Sequence, residues 1–292
     1  MTRVADECND HDTSGLAADG NVQLQGINAA VVTVCASRRG RSDVAPRRSP
    51  WTAMEQYADL ISNHTPTRVL RLPLATGEMP LVAARIVSTA PRVSVAFVTG
   101  VGAGESSQIK RDVAADRGPL ILTELDAVTA ALAAATISVL RRGGAAPRSG
   151  RVVVNSPGRS PLLGPILMKC GIGEVVNWNS GDAHAFPLRR LMERHDVLVD
   201  LTGTADDTDA PGRTVHFPVD PFRLGRLVVP GLISAVCGHD TSEVTAEVLA
   251  AAARAVALTT PPGQVLPEPG DGLVTRAIAR EVGRVITHPA DT

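Results

Sequence analysis

The sequence predicts an α/β protein, with a smaller α/β lobe preceding a domain built on a doubly wound parallel sheet. Three observations carry that expectation. Short β-branched and apolar runs alternate with amphipathic stretches, the βαβαβ pattern of parallel sheets. A long apolar stretch at 125–142 can bridge two such series, and a breaker run, Gly143-Gly144-Ala145-Ala146-Pro147, follows it. A chain of 292 residues that is 44% hydrophobic can bury one large core or two smaller ones, which excludes wholesale disorder.

In chain order, residues 1–26 are polar, lack the apolar segment of a signal peptide, and read as a mobile tail. A strand is predicted at 29–34. Segment 37–50 carries Arg38, Arg39, Arg41, Arg47 and Arg48 among Gly, Ser and Pro; it reads as a solvated loop, with a phosphate-attracting loop as the alternative. The spacing of Met54, Tyr57, Ala58 and Ile61 predicts a helix over 51–62. A strand at 69–74, a helix near 80–89, a strand at 93–98, a helix near 105–115 and a strand at 120–122 complete a first lobe of residues 27–124.

The second domain, residues 125–292, opens with the long helix. Strands are predicted at 151–154, 174–176, 196–201, 214–217 and 227–229, with one helix ending near Cys170-Gly171 and another over 187–194. Asp240-x-x-Glu243 resembles a capping box that would open an Ala-rich helix reaching Leu258. Leu273, Val274, Ala277, Ile278 and Val282 mark a last amphipathic helix. No internal repeat is visible.

Composition excludes several function classes. With 29 Lys and Arg against 30 Asp and Glu, the net charge of −1 gives no footprint for nucleic acid or an anionic membrane. The mostly apolar stretch 127–140 is too short to span a bilayer and contains Thr129, Thr136 and Ser138, so it reads as a buried helix. Cys8, Cys35, Cys170 and Cys237 are scattered, which argues against a disulfide framework or a thiolate zinc site and for a reducing cytoplasm. His216 and His239 each have an acid four residues on, Asp220 and Glu243, too few ligands for a metal. Asp206-Asp207-Thr208-Asp209 lacks the glycine and final glutamate of a calcium loop and reads as solvated. No G-x-S-x-G elbow, Walker A loop or H-E-x-x-H helix occurs. Lysine and tyrosine are scarce: Lys110, Lys169 and Tyr57 are the full set.

The clearest chemical question lies after the strand at 151–154, where Asn155-Ser156-Pro157-Gly158-Arg159-Ser160-Pro161 leads into a helix. A Rossmann-like fold places its Gly-rich turn here, so that helix N–H groups face a pyrophosphate. Ser156 and Pro161 stand where the first and third glycines belong, and Gly158 holds the middle place. Pro165 fits the first helical position with Gly164 as cap, while Arg159 and Ser160 offer side-chain donors in place of lost amides. At the next strand end, Asn177-Trp178-Asn179 offers no acid to repel a 2′-phosphate; Trp178 could stack on adenine, and an exposed turn is the competing reading. With Thr202 and Gly203, these residues form the expected site for NAD or NADP. Gly100-Val101-Gly102-Ala103-Gly104, with Glu124 at the next strand end, mimics the same fingerprint in the first lobe.

From about residue 50 the chain resembles malic enzyme (malate dehydrogenase, decarboxylating). The resemblance rests on 81–91, on Val101-Gly102-Ala103-Gly104 running to Ile109, on Thr123-Glu124-Leu125-Asp126-Ala127-Val128-Thr129, on Gly225-Arg226-Leu227-Val228-Val229-Pro230-Gly231-Leu232, and on the closing Ala-rich helix with Val265-Leu266-Pro267-Glu268-Pro269. The loop Gly158 to Gly164 separately resembles the cofactor loop of methylenetetrahydrofolate dehydrogenase/cyclohydrolase. The family pattern holds a divalent cation with a Glu, an Asp and a later Asp. Those places fall on Thr99, Gly100 and the pair Glu124-Leu125. The family's catalytic lysine falls at Thr52 or Ala53, its catalytic tyrosine on a segment this chain lacks, and its Asn-Pro turn on Val219-Asp220-Pro221.

The resemblance therefore implies a malic-enzyme-like protein that binds NAD or NADP, has no divalent metal site, forms a homo-oligomer, and lacks malate oxidative decarboxylation. Two alternatives stay open. One is an active oxidoreductase on another small hydroxy or oxo acid, with Glu124, Asp126 or Asp220 as acid/base; the other is a non-enzymatic assembly or regulatory partner.

Overall fold

Strand residues of this chain face alternately in opposite directions, and both faces are apolar, as a parallel sheet covered on two sides requires. The computed structural model describes residues 28–34, 49–75, 77–89, 92–203, 205, 209–239 and 241–288. The expected tail, the arginine-rich segment up to Arg48, residues 206–208 of the acidic run and Asp240 lie outside the described residues.

The first lobe contains β1 (Asn28–Val34), α1 (Pro50–His64), β2 (Arg68–Leu74), α2 (Met79–Val87), β3 (Val95–Thr99), α3 (Ala103–Ala115) and β4 (Leu120–Thr123). Then come α4 (Glu124–Arg142), β5 (Arg151–Asn155), α5 (Leu163–Lys169), β6 (Glu174–Trp178), α6 (Leu188–Met192), β7 (Val197–Asp200) and β8 (Thr214–His216). Three helices close the chain: α7 (Phe222–Gly238), α8 (Ala246–Thr259) and α9 (Gly272–Thr287).

The strands form two parallel sheets, ordered β2-β1-β3-β4 and β6-β5-β7-β8. Both sheets reverse direction between their first and third strands, so each has a crevice at the carboxyl end of that switch point. The chain thus repeats one topology that its sequence does not repeat.

Helix α4 lies between the sheets, and every residue from Asp126 to Leu140 is buried. Six alanines, at 127, 130, 131, 133, 134 and 135, keep it slim enough for close approach on all sides. Ala29, Val31 and Phe97 of one sheet and Val152, Val154 and Val199 of the other join α4, α7 and α8 in a single apolar core. The opposite faces form two smaller cores: Ala30, Val32 and Val98 with α2 and α3, and Val153 and Leu198 with Trp178 and α6.

Three local expectations are corrected. The strand expected at 227–229 is the middle of α7, with Leu227, Val228, Val229, Leu232 and Ile233 all buried. A helix enclosed on several sides is apolar all round, so its sequence imitates a buried strand. Pro165 is the third residue of α5, which begins at Leu163; a proline there still removes only an amide that has no intrahelical partner. Helix α8 starts at Ala246 and is capped by Thr245, whose hydroxyl accepts from the Val248 N–H at 3.3 Å. Glu243 therefore lies before the helix and does not cap it. Cys170 and Cys237 are free, half-buried thiols that burial pushes up to about 11, so they are protonated at neutral pH.

Two glycines set how closely α7 packs. A Cβ on Gly231 would lie 2.6 Å from Cβ of Ile278 in α9, and one on Gly225 would lie 2.2 Å from the hydroxyl of Tyr57 in α1. Tyr57 is fully buried, meets Phe97 and Phe222 edge-on at 4.7 and 4.8 Å, and donates to Glu124 Oε1 at 2.9 Å. Gly225→Ala is expected to cost about 1–3 kcal/mol through overpacking, measured by urea denaturation. Adding Tyr57→Phe, which removes the clashing oxygen, should recover part of that loss, a non-additivity of the kind seen between contacting residues.

Candidate functional site

The crevice of the second sheet collects the loop after β5 and the ends of β6, β7 and β8. Ser156 adopts a left-handed conformation (φ 59°, ψ 56°). A non-glycine residue thus keeps the turn that the first glycine of a dinucleotide fingerprint provides, at a cost in strain. The following turn, Pro157–Arg159, is a single 3₁₀ turn. It turns the loop amides inward: Ser156 N–H bonds Trp178 O, Arg159 N–H bonds Ser156 O, and Ser160 N–H bonds Pro157 O. Pro157 and Pro161 have no amide proton, and the Gly158 N–H makes no backbone hydrogen bond within the turn. Gly158 is exposed, and a Cβ there would meet nothing within 4 Å.

The other expected cofactor residues divide. Arg159 is exposed, with its guanidinium carbon 5.9 Å from the centre of the Phe217 ring. Asn177 and Gly203 are exposed, and Thr202 is half-buried at the end of β7. Ser160 turns away: it is buried and lies 2.7 Å from the Thr129 hydroxyl, which itself donates to Leu125 O at 2.6 Å. The hydroxyl proton of Thr129 is thereby placed, so Ser160 is the donor of the pair. Trp178 sits in the outer core of the second sheet, with its indole N–H donating to Phe186 O at 2.8 Å. At 8% exposure it is no exposed turn residue.

A network that sequence reasoning missed holds this crevice in shape. Asp200, the last residue of β7, is fully buried. Its Oδ1 accepts from Asn155 Nδ2 (2.8 Å), the Thr202 N–H (3.0 Å) and the Thr202 hydroxyl (2.8 Å), and Oδ2 accepts from the Ala205 N–H (3.0 Å). Burial pushes this carboxyl's pKa up, but the hydrogen bonds from Ala205, Thr202 and Asn155 outweigh it and hold the pKa below the ordinary value. His216 Nδ1, at the end of β8, lies 3.8 Å from Oδ2. Asp200 thus ties together the ends of β5, β7 and β8. The signal in the sequence was an acid ending an otherwise apolar strand, Val197-Leu198-Val199-Asp200.

In the first lobe the glycine cluster is no phosphate cradle. The Glu105 carboxylate accepts from the Gly102 N–H at 2.6 Å and so fills the anion position at the start of α3. Gly100 has φ 80°, and a Cβ there would lie 2.8 Å from Val34 O. Thr99 is buried and donates to the Thr33 hydroxyl at 3.0 Å. Of the three expected acid/base candidates, Glu124 bonds Tyr57, and Asp220 accepts from the Phe222 N–H at the start of α7 (3.3 Å). Asp126 closes a capping box with Thr123 and pairs with Lys110 at 2.7 Å. Lys169 pairs with Glu247 at 3.2 Å. Among the described residues, no three His, Cys, Asp or Glu side chains converge as a metal-ligand set, and no helix is long and apolar enough to cross a membrane.

This arrangement, a doubly wound second sheet behind a smaller lobe of the same strand order, is the fold of malic enzymes. The NAD-dependent malic enzyme of Thermotoga maritima superposes with a TM-score of 0.68 at 15% identity, over 97% of this chain and 96% of that one. The malic enzymes of Entamoeba histolytica (TM-score 0.71, 12% identity, 90% of this chain and 70% of that one) and Pyrococcus horikoshii (0.69, 14%, 90% and 77%) superpose likewise. No protein-family model and no curated protein sequence matches the chain.

Asp200→Asn would set an amide N–H against donors already aimed at the carboxylate. It is expected to cost about 2–3 kcal/mol at neutral pH, in line with the loss of bonds to a buried charge. Because the folded-state pKa is depressed, the contribution is complete above the ordinary carboxylate value of about 3.9. It fades as pH falls through the folded-state value. Denaturation curves across that range should therefore converge for the two proteins toward acid pH.

Proposed function

We propose that this chain is a malic-enzyme-like protein that binds a nicotinamide dinucleotide at the second crevice and does not carry out malate oxidative decarboxylation. The observation that carries the second half is the state of the three positions where the resembled family places its cation ligands. Thr99 is buried against Thr33, Gly100 leaves no room for a side chain, and Leu125 has no donor atom beside a Glu124 engaged by Tyr57. One carboxylate does not make a site for a hard cation, which needs several oxygens. The residues present do not fit the metal.

A dinucleotide fits better, in an altered manner. With the loop amides turned inward, the Arg159 guanidinium and the Gly158 N–H are the groups left to hold a pyrophosphate, and Arg forks suit phosphate oxygens. Asn177 and Thr202 stand at the adjoining strand ends to meet ribose hydroxyls, and Asp200 holds those ends at fixed spacing. The bound group would supply hydride chemistry; the chain's own contribution is to bind and orient it.

Two measurements test this reading. NAD or NADP at millimolar concentration is expected to raise the melting temperature by several degrees, an increment absent in Arg159→Ala; no shift in the native protein overturns nucleotide binding. Incubation with malate, either nucleotide and Mg²⁺ or Mn²⁺ is expected to give no change in nicotinamide absorbance. Metal-dependent turnover of malate overturns the second half, and reduction of the nucleotide by another hydroxy acid identifies an active oxidoreductase instead.

A further inference from the structure

A cavity of about 1210 Å³ lies between the lobes, bounded by α3, the start of α4, the loop 160–162 and the approach to α8. It is separate from the second crevice: Gly158, Arg159, Asn177 and Thr202 do not border it. Its first wall is one face of α3 and the turn beyond, bringing Ser106, Lys110, Arg111 and Arg117 to the same space. Lys110 is neutralised by Asp126 at 2.7 Å. Arg111 and Arg117 are exposed and form no ion pair among the described residues. Glu243 borders the opposite wall, which leaves one guanidinium in excess.

Two further observations point to a ligand. Ser106 is 5% exposed, and its hydroxyl oxygen is buried with no hydrogen-bond partner, although buried polar groups are nearly always paired. Arg117 has φ 54°. It stands at the left-handed position of a Schellman ending of α3, where Gly118 N–H bonds Val113 O (2.9 Å) and Arg117 N–H bonds Ala114 O (3.1 Å). Glycine takes that position without strain and is the usual residue there. An arginine backbone held in the left-handed region, on the rim of a cavity, is strain of the kind found at ligand clamps.

We infer that this cavity is a second binding site, for the phosphoryl group of a small metabolite, with Arg111 and Arg117 as the phosphate clamp. Arginine's planar fork matches phosphate oxygens two at a time, and the hydroxyl-bearing walls suit a polar body attached to the phosphate. The site is independent of the dinucleotide reading.

The test is thermal unfolding with inorganic phosphate against sodium chloride of equal ionic strength, which separates binding from screening. Phosphate is expected to raise the native melting temperature by several degrees beyond chloride. The increment should vanish in Arg111→Ala/Arg117→Ala and persist in Arg159→Ala. Arg117→Gly is the decisive variant: relieving the left-handed backbone should raise the melting temperature without phosphate while cutting the phosphate increment by at least half. A phosphate effect no larger than that of chloride overturns the site, as does a full increment in either Arg117 variant.

Discussion

Helix α4 has no face toward solvent along most of its length, and the rest of the molecule follows from that constraint. A helix buried on every side must be apolar or internally bonded all round. Its few polar residues comply: Thr136 and Ser138 donate back to carbonyls one turn earlier, at 2.8 and 3.1 Å. Its alanines let two sheets and five other helices share one core. The charged groups collect at the ends, with Glu124 and Asp126 in the first turn and Arg141 and Arg142 in the last, each at the end of the helix dipole that favours it. The same first turn binds Tyr57 through Glu124 and Lys110 through Asp126, so α4 is anchored to α1 and α3 as well as packed on them.

Two crevices of the same construction have been furnished differently. In the first, small and mutually bonded groups close the space: Thr99 on Thr33, Gly100 on the backbone of Val34, Glu105 over the start of α3. In the second, a buried carboxylate stabilises an open arrangement of strand ends, and the one strongly cationic side chain of the loop, Arg159, remains at the surface. Here the first crevice has become an internal joint, with Thr99 bonded to Thr33 and Gly100 lying against the backbone of Val34.

Much of the fold was legible in the residues because helices with one polar face keep a period of 3.6, and the doubly buried strands stand out between them as short β-branched, apolar runs. Strands β1 to β8 all lie within a few residues of where those patterns predict them. The pattern failed at α7, where Leu227-Val228-Val229 is buried all round and periodicity carries no information about which way the backbone turns. The site was less legible, because its decisive facts are about direction. Nothing local says that Ser160 turns toward Thr129, that Trp178 packs inward, or that the amides after β5 point into their own turn. Asp200, Tyr57 and Lys110 gain their roles from partners 45, 67 and 16 residues away, a separation no spacing rule spans. The doubled strand order was invisible for a related reason: topology constrains where strands lie, and the two halves fill that frame with unrelated side chains.

The shared core also bears on how the chain is made. Residues through α4 leave the ribosome before α7 and α8, the helices that cover it, have been synthesised. The first sheet can pair its strands by then and take the cover of α1, whose Tyr57 meets Phe97, but the faces of α4 that meet α7 and α8 have no partner until the chain is nearly finished. An N-terminal lobe of ordinary construction folds as a unit during synthesis; this one is obliged to wait with an apolar face open. Its productive folding in a cell therefore depends on the rate at which the last third of the chain is delivered, and on what shields that face in the interval.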